Sequence, residues 1–227
     1  MIYLDHNATT PVDPDVLSAM LPYFTDQFGN SSSRAHAWGW AASEAVEAAR
    51  SQVASLIGGD ARGLVWTSGA TEAANLAIKG VAHRYANARG RHLVTCRTEQ
   101  RAVLDPHASL ERDGWEGTYL DVDAQGRIDL DELRNTLRPD TTLVSLMRAN
   151  NETGVVHPTA EIYSICREAG ALLFVDGTQA PGKIALLSDH ADLIALSAHK
   201  FYGPKGVGAL WMRRRGPRVS LVPLVEG

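Results

Sequence analysis

Two cysteines, Cys96 and Cys166, are the only thiols in 227 residues. So few cannot build a disulfide framework, and the usage points to a reducing, intracellular setting, hence the cytoplasm. A surplus of one charge is also missing. Lys plus Arg number 22 and Asp plus Glu 26, for a formal net charge of −4. Nothing in that balance argues for a nucleic acid partner, and no charged tail is present. The start, MIYLDHNATT, lacks a basic stretch followed by an apolar one, so it does not read as a signal peptide. No apolar run approaches the roughly 18 residues that a membrane-spanning helix needs. Internal repeats and low-complexity tracts are absent as well. What is present is a chain of 44% hydrophobic residues, enough for one large domain with a sizeable core.

Short apolar runs alternate with helical patterns. The runs at 64–67, 92–95, 117–122, 142–147, 171–175, 192–197 and 207–212 predict seven strands. Several are apolar throughout, as expected of strands covered on both faces. Between them, Val46, Ala49, Val53 and Leu56 mark one face of a helix over 43–57, stopped by Gly58-Gly59. Asp129 and Glu132 resemble a capping box opening a helix over 129–137, and a third helix over 159–169 ends at Gly170. This alternation predicts an α/β domain around a mostly parallel sheet with right-handed crossovers. The first 40 or so residues, with Pro11, Pro14, Pro22 and a Gly29–Ser33 loop, read as irregular.

In open α/β sheets ligands sit beyond the carboxyl ends of the strands, so the residues after each strand matter most. After LVWT comes Ser68-Gly69-Ala70-Thr71-Glu72, then a helix. Free N–H groups at a helix start suit a phosphate, although an ordinary N-cap turn looks the same. The lysine of a P-loop and the GxGxxG spacing are both missing. After ALLFV comes Asp176, and after DLIALS come His199 and Lys200. Singly, Asp176 reads equally as an N-cap and Lys200 as a solvated strand end. Together with the turn at Gly69 they fit one ligand. Pyridoxal phosphate needs an amine for its aldehyde, an acid for its ring nitrogen and donors for its phosphate.

The motifs YLDHNATTPVDP (3–14), FGNSSS (28–33), TSGATE (67–72), NLAIKG (75–80), TEQRAVLDP (98–106), NNETGV (150–155), VDGTQAPGK (175–183) and SAHKFYGPKGVGAL (197–210) carry a resemblance, in that order. The chain resembles the cysteine desulfurases of the NifS/IscS type, within the class V aminotransferase family of fold-type I pyridoxal-phosphate enzymes. The resemblance implies a large domain with a seven-stranded sheet, a smaller domain and a homodimer. It implies Lys200 as the catalytic lysine that holds the cofactor's aldehyde, and Asp176 as the partner of the ring nitrogen. It also implies Gln179 at the phenolic oxygen, Ala70, Thr71, Ser197 and His199 around the phosphate, and Asn151 close to cofactor and substrate. The implied reaction takes sulfur from L-cysteine, leaving alanine and a protein persulfide. An acceptor or scaffold protein would then receive the sulfur, for iron–sulfur clusters or tRNA thiolation.

Some positions depart from the family pattern. Gln100 stands where the family has a histidine over the cofactor ring, and an amide is neither acid nor base near neutral pH. Cys96 and Cys166 read as buried structural thiols, since neither falls at the family's persulfide-forming position. Asn30-Ser31 replaces the usual Asn-Pro, and Gly177 the usual alanine. The chain is expected to be the large-domain part of a desulfurase, without the small domain that carries that cysteine. It is expected to expose apolar surface and to associate, and to bind cofactor with little turnover alone. A remnant that only binds cofactor or partners, and another class V enzyme, stay open as readings.

Overall fold

The computed structural model describes residues 1–226. Seven strands form one sheet: β1 (Leu64–Thr67), β2 (His92–Cys96), β3 (Glu116–Leu120), β4 (Thr141–Met147), β5 (Leu172–Asp176), β6 (Leu193–Ser197) and β7 (Gly208–Met212). Their order across the sheet is β1-β7-β6-β5-β4-β2-β3. Every pairing from β3 to β6 is parallel, while β7 runs antiparallel to both β6 and β1. All seven predicted strands are therefore present, shifted by at most two residues at their ends. The mostly parallel sheet holds as well.

Successive residues in the central strands feed opposite cores, because a strand's side chains alternate between faces. Leu173 and Val175 of β5 join Val144, Leu146, Ile194 and Leu196 on one face. Leu172 and Phe174 join Leu143, Leu193 and Ala195 on the other. Both faces are covered, which explains the uninterrupted apolar runs. Helices α4 (Ala70–Arg89) and α5 (Arg101–Arg112) cover the Phe174 face with Ala74, Ile78, Val81, Val103 and Leu110. Helices α6 (Leu130–Thr136) and α7 (Thr159–Ala169) cover the other with Leu133, Ile162, Ile165 and Cys166. Asp129 caps α6 by accepting from the N–H groups of Asp131 and Glu132. Gly170 ends α7 at φ 77°, a left-handed C-cap that suits a residue without Cβ. Cys96 and Cys166 are both buried, and desolvation raises both thiols above their ordinary pKa. No helix among the described residues is long and apolar enough to cross a membrane.

The N-terminal segment is less irregular than expected. Pro14 and Pro22 open two short helices, α1 (Pro14–Met20) and α2 (Pro22–Thr25). Proline breaks a helix interior, but at the first helical position its missing N–H costs nothing. The next helix, α3 (Ala37–Ser55), begins six residues before its predicted start, capped by the His36 ring accepting from the Gly39 N–H. Leu56 lies exposed beyond its end, and the neighbouring Ile57 is the residue that enters the core. Leu17, Leu21, Phe24, Trp38 and Trp40 leave apolar surface open on these three helices.

One close approach ties the sheet to the region above it. Gly208, first residue of β7, pairs with Thr67 on one side and Ser197 on the other. A Cβ at 208 would lie 2.5 Å from Gly69 Cα and 2.6 Å from the Leu196 carbonyl oxygen. Backbone cannot yield as a flexible side chain does, so Gly208→Ala is expected to destabilise by about 1–3 kcal/mol through overpacking. A urea midpoint unchanged from wild type would contradict that contact.

Candidate active site

The ends of β1, β2, β4, β5 and β6 open onto one cleft of about 450 Å³. Sequence order runs outward from β2 to β3 on one side and from β4 through β5 to β6 on the other, so the cleft sits where the winding reverses. All nine residues nominated from sequence line it: Ala70, Thr71, Gln100, Asn151, Asp176, Gln179, Ser197, His199 and Lys200.

The turn before α4 presents its first N–H groups to the cleft. Gly69 is the N-cap and offers no side chain, and the first helical bond runs from the Ala73 N–H to the Gly69 carbonyl. The N–H groups of Ala70 and Thr71 therefore precede the ladder and stay available to an anion. Glu72 does not compete for that place. Its Oε2 accepts from Ser68 N at 2.7 Å and Ser68 Oγ at 2.6 Å, and these bonds hold its carboxyl below the ordinary pKa. Ser197 and His199 approach from the end of β6, and the His199 ring meets Thr9 Oγ1 at 3.0 Å. Burial, with the charges of Lys200 and Lys205, lowers the His199 pKa and keeps the imidazole neutral at neutral pH.

Asp176 closes β5 and is buried. Its Oδ1 accepts from Thr178 N at 2.9 Å and Thr178 Oγ1 at 2.5 Å. Desolvation raises its pKa, against the Thr178 bonds and the charge of Lys200. Lys200 lies one strand away, but its Nζ donates to the carbonyls of Asn7 (2.7 Å) and Ala8 (2.8 Å) instead. Burial and the nearby Lys183 ammonium lower its pKa, while Asp176 and Asp5 act against them. Gln179 Nε2 donates to the same Asn7 carbonyl at 2.8 Å. Gln100 Nε2 donates to Asn151 Oδ1, so the amide at the family's histidine position pairs with the asparagine of the neighbouring turn. Asn150 shapes that turn by accepting from the N–H groups of Glu152 and Thr153.

Several residues here were not picked out from sequence. The strap Asn7–Thr10 bonds to residues of the cleft, and Thr10 both donates to the His199 carbonyl and accepts from the Tyr202 N–H. Most of what the strap offers is backbone carbonyl, which has no residue-type signature. Its polar run HNATT after apolar IYL was the available hint. Lys183 and Lys205 were also passed over, although both stand in motifs beside nominated residues. Glu99 is the third omission. It is buried beside Asp176's strand, and its Oε1 accepts from Met147 N at 2.6 Å while Oε2 has no partner among the described residues.

A ligand cleft on the carboxyl ends of a doubly covered, mostly parallel sheet puts the chain among α/β proteins that bind a small molecule at the winding reversal. The chain belongs to the class-V aminotransferase family, whose model matches residues 2–224. It is 59% identical, over its whole length, to a cysteine desulfurase IscS of Anaeromyxobacter dehalogenans, and 52% identical to one of Dechloromonas aromatica. It spans 56% of the length of each. Among solved structures, a NifS-like protein and SspA in complex with cysteine each superpose with a TM-score of 0.94 at 37% identity. All of this chain is covered in both cases, against 62% and 65% of theirs. The family depends on pyridoxal phosphate.

The cleft fits that cofactor. Asp176 is a buried acid with both its protein bonds on Oδ1, a lysine stands within reach of the same space, and helix N–H groups lie at the far end. Glu99 adds a pH dependence of its own. Burial raises its pKa well above the ordinary carboxylate value, the Met147 bond opposing, and the charge of Asp176 pushes it further up. Such a group contributes its full stability below the unfolded pKa, about 4.3, and loses it as pH rises through the folded one. Glu99→Gln is therefore expected to gain stability on wild type as pH climbs from about 4.3 toward 8. Urea midpoints that move in parallel over this range would show Glu99 ionised in the fold.

Proposed function

We propose that this chain is the cofactor-binding large domain of a cysteine desulfurase, acting on L-cysteine. The observation that carries the reading is one cleft holding Lys200, Asp176 and the α4 N-terminus together, in a chain 59% identical to a cysteine desulfurase IscS. Bound here, pyridoxal phosphate supplies an electron sink for the Cα of an amino acid. Lys200 carries the amine that takes the aldehyde. Asp176 would hold a proton on the ring nitrogen, and the low dielectric around it would strengthen that pairing. Ala70 and Thr71 offer N–H groups to the phosphate, with Ser197 and His199 beside them. Gln179 would hold the phenolic oxygen, Asn151 would orient the substrate and Gln100 would cover the ring.

The sulfur-accepting thiol is neither Cys96 nor Cys166. Both are buried in the core under the sheet, and neither lines the cleft. The sulfur passes to a cysteine of the remaining part of the enzyme and then to an acceptor protein, in a cytoplasmic homodimer. The open apolar surface of α1–α3 supports such an association. A second reading, binding without turnover, is favoured by one observation: Gln100, bonded to Asn151, is no proton carrier.

Loaded with pyridoxal phosphate, the chain is expected to show a visible absorbance band that Lys200→Ala abolishes. A band that survives the substitution would remove Lys200 from its role. Proton transfer at Cα is read without any persulfide by following exchange of the L-alanine α-hydrogen in heavy water. Gln100→His is expected to speed this exchange about tenfold or more. An equal rate in both proteins would show that position 100 takes no part.

A further inference from the structure

Lys200 is not the only lysine that meets Asn7. Lys183 Nζ donates to Gln179 Oε1 at 3.0 Å and reaches Asn7 Oδ1 at 3.5 Å. Lys200 Nζ donates to the carbonyl of the same asparagine, and Gln179 Nε2 donates to that carbonyl too. Asn7 Nδ2 in turn donates to the Asn151 carbonyl at 3.2 Å. Two ammonium groups, from the segment after β5 and the loop after β6, thus converge on one residue of the N-terminal strap. Neither lysine forms an ion pair among the described residues. The hydrogen bonds that the two amines make run to neutral oxygens.

We propose that Lys183 is a positioning residue for Lys200: through Asn7 and Gln179 it holds the cradle of that amine, and its charge favours the uncharged, nucleophilic form. This rests on the reading of Lys200 as the cofactor lysine. An amine attacks an aldehyde with a free lone pair, and a neighbouring cation is one of the general ways to free it at neutral pH. The groups facing Lys200 divide by sign. Asp176 on β5 and Asp5 on the strap favour the ammonium, while burial and Lys183 disfavour it. Lys183 is the stronger of these charges. His199, adjacent in sequence, is neutral near neutral pH by the lowering already described, and Lys205 lies farther along the same loop. Lys183 is exposed, so its influence is electrostatic and salt-sensitive rather than a matter of core packing.

The test needs no bound cofactor and no turnover. The full chain is incubated with pyridoxal, which lacks the phosphate, and cyanoborohydride, and labelling at Lys200 is read by peptide mass spectrometry across pH. The midpoint of labelling is expected to move to higher pH in Lys183→Ala and Lys183→Gln, with labelling near neutral pH slowed about fivefold. Lys183→Arg, which keeps the charge, is expected to follow wild type. Salt at about 0.5 M is expected to narrow the gap between wild type and Lys183→Ala. Superimposed profiles for wild type and Lys183→Ala would overturn the proposal. So would Lys183→Arg behaving like Lys183→Ala, or a Lys200 left unlabelled at every pH. A chain that never turns over L-cysteine would still give these profiles, so failure of the desulfurase reading is distinguishable.

Discussion

Much of the site rests on how the Lys200 ammonium is satisfied. It reaches past Asp176 to two carbonyls of the N-terminal strap. A direct pair would join the two charges and leave each occupied. Kept apart, Asp176 retains an oxygen without a protein donor among the described residues, and Lys200 lines the same cleft. The strap has to be fixed for this to work, and it is. Thr10 bonds to His199 and Tyr202, and Asp13 N donates to the Tyr202 carbonyl. Tyr202 has a φ of 68°, a left-handed value that costs a non-glycine residue about 1–3 kcal/mol. The bonds from Thr10 and Asp13 hold it there and turn the chain back after Lys200.

The sheet supplies the rest by geometry. Parallel strands deliver all their carboxyl ends to one edge, so polar residues far apart in sequence arrive together without any being buried alone. The antiparallel β7 is what admits β1 to this arrangement. It pairs Thr67 with Gly208 and Gly208 with Ser197, and so brings the turn before α4 beside the end of β6. The departure at Gly177 has a local cause. A Cβ there would lie 2.5 Å from Leu186 Cδ2 and 3.0 Å from the Ala195 carbonyl oxygen. Leu186 occupies the space that an alanine would need, so the two positions are coupled.

The strands were legible because burial on both faces leaves a plain apolar run, and the end of α7 because Gly170 marks its C-cap. Helix α5 went unread. Val103, His107 and Leu110 recur at helical spacing there, but Pro106 inside the run argues against a helix, and packing of Val103 and Leu110 against α4 overrides it. Helices α1 and α2 were hidden for a related reason, since a proline at a helix start looks like a breaker until the register is known. In the cleft, side chains with distinctive chemistry were legible: the lysine, the acid and the turn. Contributions made through backbone oxygen were not, because Asn7 and Ala8 act there as carbonyls that any residue could provide. Glu99 was missed because burial, not identity, makes it unusual.

Proton movement ties these features together. With Gln100 neutral and hydrogen-bonded to Asn151, position 100 has no proton to give or take near neutral pH. Three of the cleft's other titratable groups are engaged elsewhere: Glu72 with Ser68, Asp176 with Thr178, His199 with Thr9. On the cofactor reading, the work of an acid or base then falls on Lys200, the one such group whose partners are replaceable neutral carbonyls. A lysine serves as a base only in proportion to its uncharged fraction. The charges that set that fraction, Lys183 on one side and Asp5 and Asp176 on the other, then matter more than they would with a histidine at position 100. On that reading, a glutamine at position 100 leaves proton movement to the electrostatics around Lys200.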